Sequence, residues 1–367
     1  MTLRERQIMQ LIEADPMISQ QELADKLGIT RSSVAVHISN LMKKGHIAGK
    51  GYVLSEGRYV VVVGGVNMDI GGRAAGKLVS EDSNPGKVQM SLGGVGRNIA
   101  HNLCLMGTDT RMLTAYGDDL YGQRIGTACA ELGIDMRHTL VIPGATTSTY
   151  LYITDPEGEM ALAVSDMEIC DRIAPEYLEK NLQLLNHAQL VITDTNIPEQ
   201  SIRFLAENVT VPVFCDPVST AKAVKVAPVL GKLHTLKPNR IEAELLSGVR
   251  IRSREDAFRA CHRLLGTGLQ RIFLSMGSDG VCAASEEGDI WLPTLCNSLV
   301  NTTGCGDAFM AGLAWAYLEG ATLRESAAAG IAASSIAMES SETINPTMSE
   351  TALRARMKAR LSASDNI

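Results

Sequence analysis

Residues 301–313 read Asn-Thr-Thr-Gly-Cys-Gly-Asp-Ala-Phe-Met-Ala-Gly-Leu, and this stretch says most about the fold and chemistry of the chain. Its glycines allow the backbone to approach a ligand, and the apolar run predicts a helix. The amides of Gly304, Cys305 and Gly306 would then form an anion site at the positive end of the helix dipole. Asp307 could accept a proton from a bound group while these amides stabilise a transferred phosphoryl group. The alternative is a glycine-rich turn with Asp307 as an ordinary helix-start residue.

Composition and charge predict a soluble protein with two parts. The chain has 367 residues, of which 45% are hydrophobic and 20% charged, which suits one large α/β domain and a small module. Its net charge is −7, which argues against a protein that is basic throughout and coats nucleic acid. Through Ser55 there are seven Lys/Arg and five Asp/Glu (+2), so the remainder carries −9. This asymmetry suggests different tasks for the two parts.

The sequence also predicts a cytoplasmic location without membrane partners. No run approaches the roughly 20 apolar residues that span a bilayer, and the first residues lack the apolar core of a secretory signal. The eight cysteines form no CxxC pair. We therefore expect reduced, individually buried thiols and neither a disulfide framework nor a zinc site.

Residues 1–56 have the pattern of a winged helix-turn-helix domain. Apolar residues at helical spacing predict a first helix, and Ser19 to Glu22 form a capping box at the start of a second. Gly28 closes that helix, Thr30 caps a third at 31–44, and 47–54 resemble a two-stranded wing. Helix, helix, glycine turn, helix and wing form a pattern that often binds DNA.

The third helix supplies the predicted DNA contacts. Its exposed residues would include Arg31, Ser32, Ser33 and His37, with the first three at the end that reaches base edges. Phosphate contacts are expected from basic residues nearby, which are Lys43, Lys44 and Lys50. The alternative is a module that only mediates dimer contacts or has lost DNA binding, because a charge of +2 is low for a DNA-binding module.

The rest of the chain, 57–367, alternates strands and helices, which predicts a mostly parallel sheet covered on both faces. Buried strands are expected at 59–63, 111–115, 189–193, 212–215, 235–236 and 271–275. Helices are expected at about 98–107, 122–132, 198–208, 240–247, 254–267 and 307–318. Short alternating stretches near 68–92 and 146–164 predict a small β lid, and the polar helix after Ser349 is expected to fray.

Two groups of unusual residues follow the first strand and open the first helix of this domain. Asn67 and Asp69 come just after strand 59–63, and a carboxylate there can accept hydrogen bonds from the vicinal hydroxyls of a sugar. Asp69 could instead form an Asx turn. Gly93 and Gly94 open a helix that presents Asn98. Their spacing from the first strand does not suit a dinucleotide-binding fingerprint.

Two further groups follow later strands, where ligands of parallel sheets bind. Asn239 and Glu242 lie three residues apart on one helix face, suitable for holding hydrated magnesium beside phosphates. A capping arrangement of Asn with Glu is the alternative. Ser275, Gly277 and Gly280 belong to a tight turn at a strand end, where the backbone could approach a nucleotide.

Residues 59–348 resemble the ribokinase/PfkB family of sugar and nucleoside kinases through the motifs Gly93–Asn98 and Gly304–Asp307. The resemblance implies a ribokinase-like fold with Asp307 as catalytic base, the amides of 304–306 as anion hole, and ATP and Mg²⁺ as cofactors. It also implies roles for two further sets of residues. The nucleotide and magnesium set is Asn239, Glu242, Ser275, Gly277, Gly280 and Thr303, and the acceptor set is Asn67, Asp69, Gly93, Gly94 and Asn98.

Segments 82–87, 93–102, 216–219 and 234–248 are similar to family members that act on pseudouridine, which implies transfer to its 5′-hydroxyl. Candidates for recognising the base are Thr147, Ser148 and Thr149. Another nucleoside or ribose remains open as acceptor, as does a DNA-binding regulator that uses the kinase-like domain as a nucleoside sensor. A homodimer through the lid is expected, because exposed strands need a partner.

Two residues depart from the family's pattern. Asn301 replaces an Asp near the loop that binds a monovalent cation in many relatives, which puts a potassium requirement in doubt. Cys305 replaces an Ala, and its thiol would lie at a helix N-terminus, where thiolates are stabilised. The sequence thus predicts a kinase that oxidation or alkylation inactivates.

Overall fold

A computed structural model describes residues 2–47, 58–294 and 299–364. The chain divides into two compact units, Met1–Tyr59 and Val60–Ile367. The first unit contains α1 (Leu3–Ala14), α2 (Gln20–Leu27) and α3 (Arg31–Lys43). Most of the predicted wing, including Lys50, lies outside the described residues.

The three helices of the first unit are defined by their caps and by a small apolar core. Thr2 with Glu5 and Ser19 with Glu22 form reciprocal capping boxes at the starts of α1 and α2. Gly28 ends α2 in a left-handed conformation. The core side chains are Ile8, Ile12, Ile18, Leu23, Ala24, Val34, Ile38, Leu41 and Ile47. The predicted helix-turn-helix is confirmed in these elements.

The second unit alternates strands and helices along most of its length. Its strands are β1 (Tyr59–Val63), β2 (Asn67–Ala74), β3 (Gly86–Gly93), β4 (Asp109–Leu113), β5 (Ala115–Gly117), β6 (Leu140–Ile142), β7 (Thr149–Thr154), β8 (Met160–Asp166), β9 (Leu190–Asp194), β10 (Val213–Asp216), β11 (Thr235–Leu236), β12 (Arg271–Ser275), β13 (Val281–Ser285) and β14 (Gly288–Leu292). Its helices are α4 (Val95–Leu105), α5 (Leu120–Glu131), α6 (Pro175–Lys180), α7 (Leu182–His187), α8 (Glu199–Asn208), α9 (Thr220–Ala223), α10 (Arg240–Ser247), α11 (Arg254–Leu265), α12 (Cys305–Leu318), α13 (Leu323–Ala337) and α14 (Glu350–Ser364).

The main sheet has eight strands in the order β14-β13-β12-β11-β10-β9-β1-β4. Strands β1, β9, β10, β11 and β12 run parallel, and β13 and β14 add an antiparallel edge. The carboxyl ends of the parallel strands therefore meet at one edge, where ligands of such sheets bind. The fold class predicted from the sequence is confirmed, with one change: the strand expected at 111–115 is divided into β4 and β5.

The lid is a separate four-stranded sheet in the order β3-β2-β7-β8. Strand β2 is antiparallel to β3 and parallel to β7, and β8 returns antiparallel to β7. One lid face carries exposed apolar side chains, among them Val88, Met90, Leu162 and Val164. We call this the outer face of the lid, and the opposite face, which carries Asp69, the inner face.

Three C-terminal helices complete the second unit. Helices α12 and α13 are apolar on most sides and lie buried together, so their sequences give little periodic signal. The prediction that the last helix frays is wrong for the first turns of α14, because Leu353 is buried and Arg356 pairs with Glu339 at 2.9 Å. None of the helices in the described ranges is long and apolar enough to cross a membrane.

Candidate active site

Asp307 lies in the first turn of α12, at the edge where the parallel strands end. Gly304 precedes the helix with a φ of +79°, in the left-handed region that glycine adopts readily. A Cβ on Gly304 would also collide with the carbonyl oxygen of Thr343. The glycine before the helix is therefore required both by the backbone conformation and by the neighbouring chain.

Asn98 holds the carboxylate of Asp307, although 209 residues separate them. The Nδ2 of Asn98 donates to Oδ2 of Asp307 at 2.7 Å. Arg97, which is buried, donates from Nη2 to Oδ1 of Asn98 at 2.6 Å and to the carbonyl of Leu92 at 2.9 Å. Because a guanidinium can only donate, Arg97 fixes which end of the Asn98 amide faces Asp307. The sequence had suggested Asn98 but gave no role to Arg97.

The surroundings of Asp307 suit a general base. Burial and the nearby Asp216 carboxylate raise the pKa of Asp307 to about 7, against the opposing effects of the Asn98 hydrogen bond and the Lys237 ammonium. A carboxylate with a pKa near the working pH can both accept and release a proton.

Lys237 provides positive charge beside Asp307. Its Nζ lies 3.1 Å from Oδ2 of Asp216, and both side chains are buried. Burial works to lower the pKa of Lys237, but the carboxylates of Asp216, Glu242 and Asp307 together raise it. A Cβ on Gly306 would lie 3.3 Å from Nζ, so the ammonium sits directly against the anion-hole backbone. Neither Lys237 nor Asp216 had been given a role from the sequence.

Asn239 and Glu242 form a capping box, which is the alternative that their spacing suggested beside a magnesium site. The amide of Asn239 donates to Oε2 of Glu242 at 2.9 Å, and the amide of Glu242 donates to Oδ1 of Asn239 at 3.0 Å. This arrangement uses one of the two Glu242 carboxylate oxygens. Burial, together with Asp216, raises the pKa of Glu242 despite the capping hydrogen bond.

A cavity of about 700 Å³ adjoins the start of α12. It is bounded on one side by Lys237, Cys305 and Gly306 and extends past α10 and the turn after β12. Of the predicted nucleotide residues, the cavity is lined by Asn239, Ser275, Gly277 and Gly280. Thr303 is exposed and is not among the lining residues; the neighbouring Thr302 is. The cavity is large enough for a nucleotide and opens onto the Asp307 helix.

Three of the predicted acceptor residues, Asn67, Asp69 and Gly93, lie on the inner face of the lid, and Asn98 lies on α4. Asn67 donates from Nδ2 to Oδ1 of Asp69 at 2.6 Å. Burial raises the pKa of Asp69, while the Asn67 hydrogen bond and the Arg97 charge oppose that rise. The carboxylate of Asp69 lies against Gly93, since a Cβ at position 93 would collide with it. Gly94 directly precedes α4. The charge of Arg97 therefore acts on Asp69, and its guanidinium also holds the Asn98 amide.

Asp194, at the end of β9, is a further structural residue that the sequence did not reveal. Its Oδ2 accepts hydrogen bonds from the amides of Gly65 at 3.0 Å and Gly96 at 2.8 Å. Its Oδ1 accepts from the amide of Asn196 at 2.8 Å. This carboxylate therefore joins the loop before β2 to the start of α4, the two segments that carry the acceptor residues.

The prediction of a reactive Cys305 is wrong in its physical premise. Burial, reinforced by the nearby Asp307 carboxylate, raises the pKa of Cys305 to about 11. The thiol is therefore protonated at neutral pH, although it lies at the start of a helix.

The side chain of Asn301 forms two hydrogen bonds that hold its loop in place. Its Oδ1 accepts from the amide of Thr303 at 2.9 Å, and its Nδ2 donates to the carbonyl of Ser341 at 3.3 Å.

The residues suggested for recognising the base are mostly occupied elsewhere. Thr147 is buried and donates from Oγ1 to Asp119 at 2.6 Å, and Ser148 is buried with its Oγ 3.8 Å from the Cys170 sulfur. Thr149 starts β7 and pairs with Met68. Thr147 and Ser148 therefore support the lid base, and their hydroxyls are unavailable to a ligand.

The start of α3 presents part of the predicted DNA-reading surface. Arg31, Ser32 and Ser33 are exposed there. His37 is only half-buried rather than exposed, and its Nδ1 is buried without a hydrogen-bond partner among the described residues. Lys44 binds the Glu5 carboxylate at 2.8 Å, so its charge is neutralised within the module. The expectation that Lys44 contacts phosphate is thereby weakened.

Both units of the chain resemble known proteins. The pattern of the pfkB family carbohydrate kinases matches residues 58–351, and a winged helix-turn-helix DNA-binding pattern matches 1–47. The chain is 41% identical over 298 residues to the pseudouridine kinase of Escherichia coli K12, covering 81% of this chain and 95% of that protein. It is 39% identical over 353 residues to the uncharacterized sugar kinase YeiI of the same organism, covering 95% and 97%.

A solved structure, the carbohydrate kinase from Agrobacterium tumefaciens, matches with a TM-score of 0.72 and 27% identity, covering 82% of this chain and 97% of that one. The family pattern spans the main sheet, the lid and the start of α12. The chain therefore belongs to the pfkB family of carbohydrate kinases, which are phosphotransferases with an alcohol group as acceptor.

Proposed function

We propose that this kinase transfers the γ-phosphoryl group of ATP to the 5′-hydroxyl of a nucleoside, with pseudouridine as the acceptor. The observation that carries the proposal is the position of Asp307, which is hydrogen-bonded to Asn98 and directly follows Gly306, a lining residue of the 700 Å³ cavity. The 41% identity to a pseudouridine kinase supports the choice of acceptor.

In this proposal each part of the site has a role. Asp69 accepts hydrogen bonds from sugar hydroxyls and Asn98 orients Asp307, which takes the proton of the 5′-hydroxyl. The amides at 304–306 and the ammonium of Lys237 stabilise charge on the transferred group. The lid covers the acceptor so that water does not compete for the phosphoryl group.

The charges of the site suit a magnesium ion bound with the nucleotide. Three carboxyl groups, those of Asp216, Glu242 and Asp307, lie near the single ammonium of Lys237. The described residues contain no cluster of three or more His, Cys, Asp or Glu side chains arranged as a metal cage. Magnesium commonly keeps several waters and takes only one or two carboxylates beside phosphates. We propose that Glu242 and Asn239 hold Mg²⁺ through that water shell, where the ion supplies neutralisation of phosphate charge.

An acceptor panel tests this function. We expect ADP release with pseudouridine to show a kcat/KM at least about 10-fold above that with uridine or ribose. The matched control is 5′-deoxypseudouridine, which fits the same subsite but lacks the accepting hydroxyl and should give no turnover. Higher kcat/KM with ribose than with any nucleoside would make the protein a sugar kinase instead.

We also propose that the first unit binds DNA and that the protein is a homodimer. The exposed Arg31, Ser32 and Ser33 at the start of α3 and the match to a DNA-binding family at 1–47 support DNA binding. The apolar outer face of the lid supports a second copy as its partner, because such a face is unfavourable in water. The kinase would then report its substrate to a promoter.

Binding to the DNA upstream of the chain's own coding sequence tests the regulatory proposal. At low salt we expect a complex that weakens steeply as salt rises, because counterions are released from the phosphates. Replacing Arg31 with Ala should weaken it by about 10-fold, the usual effect of losing a base contact. The control Arg203→Ala removes the same charge from α8 and should leave binding unchanged. Absence of a complex at low salt would limit the first unit to a protein contact.

A further inference from the structure

The inner face of the lid carries two aromatic side chains beside the acceptor residue Asp69. In the register of β2 with β7, Asp69 pairs with Tyr150 and Gly71 pairs with Tyr152. Paired residues of neighbouring strands project to the same side of a sheet, and residues two apart on a strand do so as well. Both tyrosines therefore share the face of Asp69, whereas Leu151 between them belongs to the outer face.

The lack of a side chain at Gly71 makes room for one of these rings. A Cβ at position 71 would lie 2.5 Å from the hydroxyl oxygen of Tyr152 and 2.6 Å from its Cζ. The phenol of Tyr152 therefore extends from β7 across β2, over the strand that carries Asp69. The rings of Tyr150 and Tyr152 have centroids 5.8 Å apart and are tilted by 35°, so they form one continuous aromatic surface.

This surface is open to a ligand. Both tyrosines are half-buried. Tyr150 donates only a long hydrogen bond of 3.7 Å to the Met160 sulfur, and the Tyr152 hydroxyl forms none within the described part of the chain. Small residues border the rings, since Tyr152 pairs with Ala163 on β8. The rings are thus not packed into a core, as buried structural tyrosines are.

We infer that Tyr150 and Tyr152 form the surface on which the base of the nucleoside stacks, and that they select nucleosides against free sugars. The inference rests on the nucleoside kinase function proposed above. A sugar held by Asp69 has its base, if it carries one, within reach of the same lid face, whereas ribose offers nothing to stack. Stacking on an aromatic ring is tolerant of the identity of the base, so the surface selects the class of acceptor and not one base.

Substitutions that remove the rings test this inference. For Tyr150→Leu and Tyr152→Leu we expect kcat/KM for the nucleoside to fall by about 10-fold each, the usual effect of losing one base–aromatic stack. The KM for ATP should stay unchanged, because the nucleotide cavity contains no lid residue. Tyr150→Phe and Tyr152→Phe keep the rings and should remain within about 2-fold of the unaltered enzyme.

The control Tyr317→Leu makes the same change at the C-terminal end of α12, where the ring packs on Phe214 and His234, and should not alter nucleoside turnover. Circular dichroism and thermal melting identify any variant that fails to fold, and the Phe variants then carry the test. Nucleoside turnover that is unaffected by the Leu variants, or lost equally in the Phe variants, overturns the stacking surface while leaving the kinase function intact. If the unaltered enzyme phosphorylates no nucleoside, the proposed function fails first, and the stacking role falls with it.

Discussion

Replacing Asp307 with Asn should lower kcat by at least about 10³-fold, with little change in the binding of ATP. The carboxamide has the size of the carboxylate, and its oxygen can still accept the hydrogen bond from Asn98. The carboxamide cannot, however, take up the proton of the 5′-hydroxyl. Steady-state kinetics and equilibrium binding of ATP measure the two effects separately. Retained turnover in this variant would remove the assignment of Asp307 as the base.

The pH dependence gives an independent check on the same residue. Because burial and Asp216 raise the pKa of Asp307 to about 7, kcat/KM should fall about 10-fold per pH unit below that value and level off above it. Between about pH 4 and 7 the folded protein binds this proton more tightly than the unfolded chain does. Its free energy of unfolding should therefore decrease as pH rises through this window, and Asp307→Asn should remove that contribution.

Replacing Lys237 with Met should destabilise the protein by about 3–5 kcal/mol, the usual loss when one partner of a buried ion pair is removed. The variant leaves the Asp216 carboxylate buried without its 3.1 Å partner and removes the ammonium that acts on Glu242 and Asp307. Because the ammonium lowers the pKa of Asp307, its loss should also move the midpoint of kcat/KM to higher pH. Urea denaturation and the pH profile measure these two effects.

The matched control is Lys232→Met, which breaks an exposed pair with Glu207 at 2.8 Å. We expect that change to alter the free energy of unfolding by less than about 1 kcal/mol, since exposed pairs contribute little. Equal destabilisation by the two substitutions would show that the Lys237–Asp216 pair has no special electrostatic role. An unchanged pH profile in Lys237→Met would remove its influence on the base.

Much of the fold could be predicted because short segments of the sequence indicate its strands and helix starts. Strand β1 is a continuous apolar run and β9 begins with three apolar residues, and Gly304 and Asp307 mark the start of α12 within a few residues. Asn239 and Ser253 directly precede helices α10 and α11, and their side chains cap the first turn of each helix. The parallel alternation then follows from chain connectivity, and it brings the ends of these strands to one edge.

Interactions between residues far apart in the chain could not be predicted from the sequence. Asp194 and Asp216 end strands, and the residues around them do not indicate their partners, because their hydrogen bonds and ion pair depend on which strands become neighbours. The pKa of Cys305 was misjudged for the same reason: a helix start is visible in sequence, but burial and the proximity of Asp307 are not. Helix α13 is buried on most sides, so it lacks the periodicity that reveals surface helices.

The Asp194 junction limits how this site can change. A Cβ on Gly64 would lie 2.5 Å from Oδ2 of Asp194, and one on Gly96 would lie 3.0 Å from the Cα of Gly64. A side chain at either glycine would therefore displace the carboxylate that both segments share, so the effects of substitutions at 64, 96 and 194 are expected to be strongly non-additive. Change at these three positions therefore requires coordinated replacements, which keeps the spacing between the acceptor loop and the Asn98 helix constant.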